Sequence, residues 1–220
     1  METAFREHYR GLCGTIAGLM KSKEPQERQT GQVLAKLEYE NALRALDLSL
    51  AAQESLIQPY RLLSSLFDET KDNAAGLALA ERVVNSVEQY PEHVLAGPLG
   101  LEMAGAVDDA ANRFRLLKRY PQAQAAYERA LAILQSNTSL TPEQRGKGSA
   151  SIYQQLGMVA EEQRQWLEAE RNYREALRIQ VEFNDRYSQA STYHMLGMVA
   201  QAQRQWPEAE RNCRDRKSVV

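Results

Sequence analysis

Three histidines, two cysteines and one adjacent pair of aspartates are the side chains of this chain whose types could support chemistry. His8, His93 and His194 would be metal ligands or general bases, but none has a cysteine or paired carboxylate at ligand spacing. Cys13 and Cys213 stand 200 positions apart, with no CxxC between them, so neither a zinc site nor a disulfide framework is expected. A reducing, cytoplasmic setting fits such sparse cysteine use. Asp108 and Asp109 read as a solvated helix face rather than a proton-sharing dyad. GPLG at 97–100 reads as a break before a helix, not a phosphate cradle. The patterns GxxxxGK[ST], GxGxxG and GxSxG do not occur, so no nucleotide loop or nucleophile elbow is expected. The expectation is no enzyme, no cofactor and no metal.

What, then, do the elements of the chain position? The 220 residues are 43% hydrophobic and 25% charged, ordinary for a globular chain, and rich in helix formers. A net charge of −2 gives no basic excess for a phosphate backbone, so no nucleic-acid partner is expected. GLCGTIAGLM (11–20) is too short to span a bilayer. Glu2 and Glu7 before it, and Lys21 and Lys23 after it, are wrong for a secretory leader. It reads as a buried helix face, with no membrane partner.

The strongest signal is repetition. SIYQQLGMVAEEQRQW (151–166) returns as STYHMLGMVAQAQRQW, and 17 of 24 positions from 151–174 recur 40 residues on. Such a period marks stacked supersecondary units. Tyr153, Leu156, Gly157 and Ala160 fall on one face of a helix, and Ala169, Tyr173, Ala176 and Leu177 on one face of a second. Each unit is helix, tight turn, helix. Gly157 and Ala169 sit where the antiparallel helices would cross, and Trp166 and Tyr173 supply large buried side chains. Glu170 and Arg174 form a solvated i, i+4 pair.

This pattern resembles the tetratricopeptide repeat. The residues carrying the resemblance are Tyr153, Leu156, Gly157, Ala169, Tyr173 and Ala176, then Tyr193, Leu196, Gly197 and Ala209, with Trp166 and Trp206 opening the second helices. The 40-residue period exceeds the family's usual length of about 34. The extra residues fall around VEFNDRY (181–187), lengthening the helices or the turn between units. Long-period versions of this kind are similar to those of large bacterial multi-repeat proteins. The resemblance implies an all-α fold, a right-handed α-solenoid of antiparallel helix pairs.

The expected organisation is a divergent helical bundle over 1–95, a divergent unit over 98–135, a unit over 149–187 and a truncated unit over 189–214. YPQAQAAYERALAIL (120–134) matches WLEAERNYREALRIQ (166–180), with Ala110 and Ala111 in place of Leu and Gly in the preceding helix. SNTSLTPEQRGKG (136–148) reads as a long loop. Further upstream, helical patterns span 3–21, 26–55, 59–70 and 73–90. Leu62, Leu63 and Leu66, with Ala78, Ala80, Val83, Val84 and Val87, suggest another helix pair. Within LEYENALRALDLSL (37–50), Glu38, Asn41, Ala45 and Leu46 resemble the helical arm of STAND-type signalling ATPases.

Residues 215–220, DRKSVV, do not continue the repeat. They can be written as codons resembling one frame of a sequencing adapter, so they read as a non-native tail on a chain that runs on. Without a polar cap, 206–220 is expected to fray, with Trp206 and Ala209 half covered.

What the family resemblance implies for function is a protein-interaction scaffold. A peptide or partner helix would lie on the concave surface formed by the first helices. Carried over by position, the contact residues would be Gln154, Met158, Glu161 and Glu162, with His194, Met198, Gln201 and Ala202 in the next unit. Self-association through the incomplete repeat end is a further expectation. The rival is a sensory repeat arm of a larger STAND-type regulatory ATPase.

Overall fold

A computed structural model describes residues 1–219, and among these every regular element is helical. The helices are α1 (Glu2–Met20), α2 (Pro25–Leu37), α3 (Tyr39–Ala52), α4 (Ile57–Thr70), α5 (Asn73–Val87), α6 (Glu92–Leu95), α7 (Leu99–Leu116), α8 (Tyr120–Ser136), α9 (Pro142–Glu162), α10 (Trp166–Glu182), α11 (Arg186–Ala202) and α12 (Trp206–Val219). They pack as consecutive antiparallel pairs: α1 with α2 and α3, then α4/α5, α7/α8, α9/α10 and α11/α12.

The long period has a simple local cause. α10 and α11 are each 17 residues, about 25 Å long at the α-helical rise. A three-residue turn follows each, at 183–185 and 203–205. One helix and one such turn, used twice, make the 40-residue repeat. The additional residues therefore extend helices, and the turn between units stays as tight as the turn within them.

Six turns share one geometry, and the four from α7 onward are each three residues long. Their middle residues are left-handed: Lys118 at φ 58°, Arg164 at 59°, Asn184 at 52° and Arg204 at 59°. The next N–H reaches back to a carbonyl five residues earlier: Arg119 to Phe114 at 2.8 Å, Gln165 to Ala160 at 2.8 Å, Asp185 to Gln180 at 2.9 Å and Gln205 to Ala200 at 2.8 Å. This closure satisfies the last carbonyls of the helix and usually uses glycine at the left-handed position. Here none of the four is glycine.

Small residues admit large ones within each pair. A Cβ on Gly157 would lie 2.5 Å from Tyr173 Cδ1. Tyr173, Ala169 and Ala176 have no exposed surface, and Tyr127 occupies the equivalent buried position in α8. In the last pair Tyr173 is replaced by the exposed Cys213, and a Cβ on Gly197 would meet nothing nearer than Asn212 Cβ at 3.7 Å. Trp166 is only half-buried, and Trp206 is 63% exposed. The tryptophans thus contribute less to the core than their size suggests. Ala209, expected to be half covered, is buried beneath α11.

Several expectations need correcting. The stretch 136–148 is not one loop, because α9 begins at Pro142. Thr141 and Gln144 form a reciprocal capping box, with bonds of 3.1 and 3.0 Å, which fixes the helix start despite two following glycines. Those glycines make room: a Cβ on Gly146 would meet Phe183 Cδ2 at 2.7 Å, and one on Gly148 would meet Leu134 Cδ1 at 2.8 Å. The helical pattern of 26–55 is broken at Glu38, whose Oε2 accepts from Tyr9 at 3.0 Å and from Asn41 at 2.8 Å. α12 is helical from Trp206 to Val219, with only Ala209 and Asn212 buried along it. In the α4/α5 pair Leu62, Leu63, Leu66, Ala80, Val83 and Val87 are buried, Val84 is half-buried and Ala78 is exposed.

Units are joined by polar as well as apolar contacts. Thr192 in α11 donates to Gln180 Oε1 at 2.7 Å and accepts from Gln154 Nε2 at 2.7 Å, while Gln189 Nε2 donates to the Gln180 carbonyl at 3.0 Å. Thr192, Gln180 and Gln189 are buried, so a shifted register would leave them unpaired at about 1–3 kcal/mol each.

Candidate functional site

Each second helix packs on the first helix of the next pair: α5 on α7, α8 on α9 and α10 on α11. First helices also approach one another, as α1 does α4, α4 does α7 and α7 does α9. The backbones of α8, α10 and α12 stay further apart. A cleft between α8 and α10, floored by Tyr153 and Leu156, opens on that side. From α1 to α9 the first helices form the closer-packed row.

Two arginines tie that row together. Arg113 of α7 reaches Asp68 of α4 at 2.7 Å and Ser64 Oγ at 3.1 Å. Arg115, also of α7, pairs with Glu162 of α9. Both arginine side chains are 12% exposed, but Asp68 is 65% exposed and Glu162 35%, so only the Arg115–Glu162 pair is better shielded than a surface bridge.

The positions inferred from the repeat divide by helix. On α9, Gln154 bonds to Thr192, Glu161 Oε2 accepts from Tyr173 Oη at 2.8 Å, and Glu162 is held by Arg115. Burial, with the Glu161 carboxylate beside it, pushes the Tyr173 phenol far above its ordinary range. Met158 is half-buried against the cluster of Ala160, Ala169, Tyr173, Leu196 and Val199. On α11, His194, Met198, Gln201 and Ala202 are exposed, with Met198 at 46%. The α11 set is open to contact, while three of the four α9 side chains already serve the fold.

Sequence reading passed over a third stretch of this row. A cavity of about 700 Å³ lies between α4 and α7, walled by Ile57, Tyr60, Leu101 and Pro98 and carrying Asp108 and Asp109. These aspartates are not a simple solvated face. Asp109 Oδ2 accepts from Tyr60 Oη at 2.7 Å and from Ser64 Oγ at 3.4 Å. Asp108 Oδ1 is shut off from solvent with no hydrogen-bond partner. Burial first, and the Asp109 charge second, raise the Asp108 carboxyl to about 6. The signal for this site lies in α4, which no local pattern around 108–109 reveals.

The outer face is self-neutralised. Arg174 pairs with Glu170 at 2.6 Å as expected, and Arg178 with Glu175 at 2.7 Å. Among the described residues no three His, Cys, Asp or Glu side chains converge to hold a metal ion, and no helix is long and apolar enough to cross a membrane.

Residues 148–214 match the family model of the tetratricopeptide repeat. BtubC (BKLC) from P. vanneervenii has a similar structure, with a TM-score of 0.65 and 19% identity, over 99% of this chain and 87% of that one. A putative kinesin light chain from Podosopora anserina with nearly identical TPR-like repeats gives a TM-score of 0.57 and 16% identity, over 90% of this chain and 97% of that one. At such identities the likeness is one of fold. No curated protein matches the chain. The matches carry the repeat resemblance and not the resemblance to a STAND-type arm. The paired helices, the packed Gly157–Tyr173 contact and the family match together make residues 148–214 an array of tetratricopeptide repeats.

Proposed function

We propose that the chain is a protein-interaction scaffold that holds an extended peptide or a partner helix along the inner row of α4, α7, α9 and α11, without catalysis of its own. The observation that carries this reading is the exposed set His194, Met198, Gln201 and Ala202 on α11. These side chains lie on the same row as the α4–α7 cavity and have no structural work inside the unit. Met198 offers an adaptable apolar contact, and the rigid inner row lowers the entropic cost of binding. Gln154, Met158, Glu161 and Glu162 complete the lining, with Met158 as its apolar floor. Cys13 and Cys213 are free thiols, in keeping with a reducing, cytoplasmic setting.

The test is selection of a random-peptide library on the full chain, followed by affinity measurement with variants. His194→Ala with Met198→Ala should weaken the selected peptides by at least about tenfold. Leu167→Ala, on an outer-face residue that is 77% exposed, should leave them unchanged. Equal loss at both faces, or no enriched peptide, would remove the reading.

A further inference from the structure

We infer that α11 is the docking face for an amphipathic helix of a partner protein, a helix whose contact stripe carries no charge. The inference rests on the scaffold reading above and names the kind of segment that the row of first helices takes at this end.

The face is drawn by spacing. Tyr187, Ser191, His194, Met198 and Gln201 are all exposed, Tyr187 by 88% and Met198 by 46%. They follow one another at intervals of four, three, four and three, the seam along which one helix packs on another at a shallow angle. The seam is about 21 Å long, or roughly four turns. The small pair Ala190 and Ser191 lies between Tyr187 and His194, and these four positions frame a hole for one large side chain of the arriving helix. Met198 adds an adaptable apolar contact one turn further on.

The chain's own duplicate shows what sets this face apart. The same positions one unit earlier are Lys147, Ser151, Gln154, Met158 and Glu161, with Glu162 beside them. Between the copies Lys147 gives way to Tyr187, Glu161 to Gln201 and Glu162 to Ala202, so every charge on the stripe is gone. α11 as a whole carries one formal charge, Arg186, against five on α9 and seven each on α10 and α12. An exposed face stripped of charge and bearing tyrosine and methionine has the composition of an interface centre. It also selects the partner. A carboxylate or ammonium laid on this stripe would lose its water and find no counter-charge.

A helix fits this seam better than an extended segment. Same-side residues of a strand recur about every 6.7 Å, whereas the seam positions recur about every 5.2 Å, so the two fall out of step along it. An extended backbone also needs polar side chains to meet its N–H and C=O groups. On neighbouring α9 those side chains are spent: Gln154 on Thr192, Glu161 on Tyr173 and Glu162 on Arg115. A helix closes its own backbone bonds and asks only for side-chain fit.

The experiment screens two libraries on the full chain. One is a three-heptad helical peptide with its seam positions randomised and glutamate and lysine fixed on its other faces. The second is a flexible linear peptide of equal length. The helical library should yield binders with an uncharged seam and at least one large apolar residue in it. A central proline should weaken them on the order of a hundredfold. Tyr187→Lys, Gln201→Glu and Ala202→Glu together give α11 the residues that α9 carries at the same positions. With the fold checked by circular dichroism, this triple variant should weaken the binders by at least about tenfold. Charged seams among the binders, indifference to the proline, or full binding by the triple variant overturns the inference. So does a dimer of the free chain that the triple variant disperses in sedimentation, since the occupant of α11 is then a second copy. If only linear peptides bind, and depend on His194 and Met198, the helix is wrong and the scaffold reading stands. If neither library yields a binder, both fall.

Discussion

Gly157 and Gly197 sit in the same five letters, LGMVA, yet alanine should have opposite effects at the two sites. At Gly157 the new methyl would lie 2.5 Å from Cδ1 and 2.9 Å from Cζ of Tyr173. That ring has no exposed surface, and its hydroxyl is anchored to Glu161 at 2.8 Å, so it cannot swing away freely. Overpacking of this kind costs about 1–3 kcal/mol, and straining the phenol bond adds about 1. The gain in helix propensity returns about 1. Gly157→Ala should therefore destabilise by about 2 kcal/mol. At Gly197 the methyl meets Asn212 Cβ at 3.7 Å, an ordinary contact, so only the gain of about 1 kcal/mol remains. The gap of about 3 kcal/mol corresponds to roughly 6–12 °C in Tm for a chain of this size. Thermal and urea melts followed at 222 nm read it, and hydrogen exchange assigns the change to α9–α10 or α11–α12. Cys213→Tyr completes the case: on that background Gly197→Ala should lose its benefit, a coupling of opposite sign to the single change. If both glycines respond alike, or Cys213→Tyr leaves Gly197→Ala unaltered, the assignment of the clash to the tyrosine ring is wrong.

Other outcomes follow from single contacts. Arg164→Gly relieves a left-handed arginine at φ 59° and should stabilise by about 1 kcal/mol in denaturant melts, as glycine suits that turn. Thr141→Ala removes the capping box at α9 and should cost about 1 kcal/mol, with faster amide exchange confined to 142–146. Asp108 has its folded-state carboxyl raised to about 6, from an ordinary 3.8. The folded chain then binds the proton more tightly than the unfolded one, and stability should decline as pH rises from about 4 to about 6. Asp108→Asn should flatten that slope and add about 1 kcal/mol at pH 7.5, after allowance for partial solvent screening. Melts across that range would show a parallel pair of curves if the assignment is wrong.

The paired helices from α9 to α12 were legible because they repeat. Tyr153, Gly157, Ala169 and Tyr173 recur at fixed spacing, and a recurring face has to be buried against its own copy. The start of α9 was not legible. Gly146 and Gly148 read as breakers, and only the ring of Phe183 and the side chain of Leu134, supplied by other helices, explain them. The break at Glu38 was hidden for the same reason, since Tyr9 reaches it from α1. Inner-face positions could be carried over by register, but register does not show that Glu161 is bound by Tyr173 or Glu162 by Arg115. The α4–α7 cavity joins segments with no shared motif, and the burial that raises the Asp108 carboxyl, ahead of the Asp109 charge beside it, cannot be read from residues 108–109 alone.

The turns at 163–165, 183–185 and 203–205 have one geometry, whether they fall within a unit or between two. Duplication or loss of 40 residues at any of them would rejoin ends of matching shape. Unequal crossing-over between the near-identical coding stretches can therefore lengthen or shorten the array by whole units. The row of first helices would change in reach while every surviving interface kept its fit.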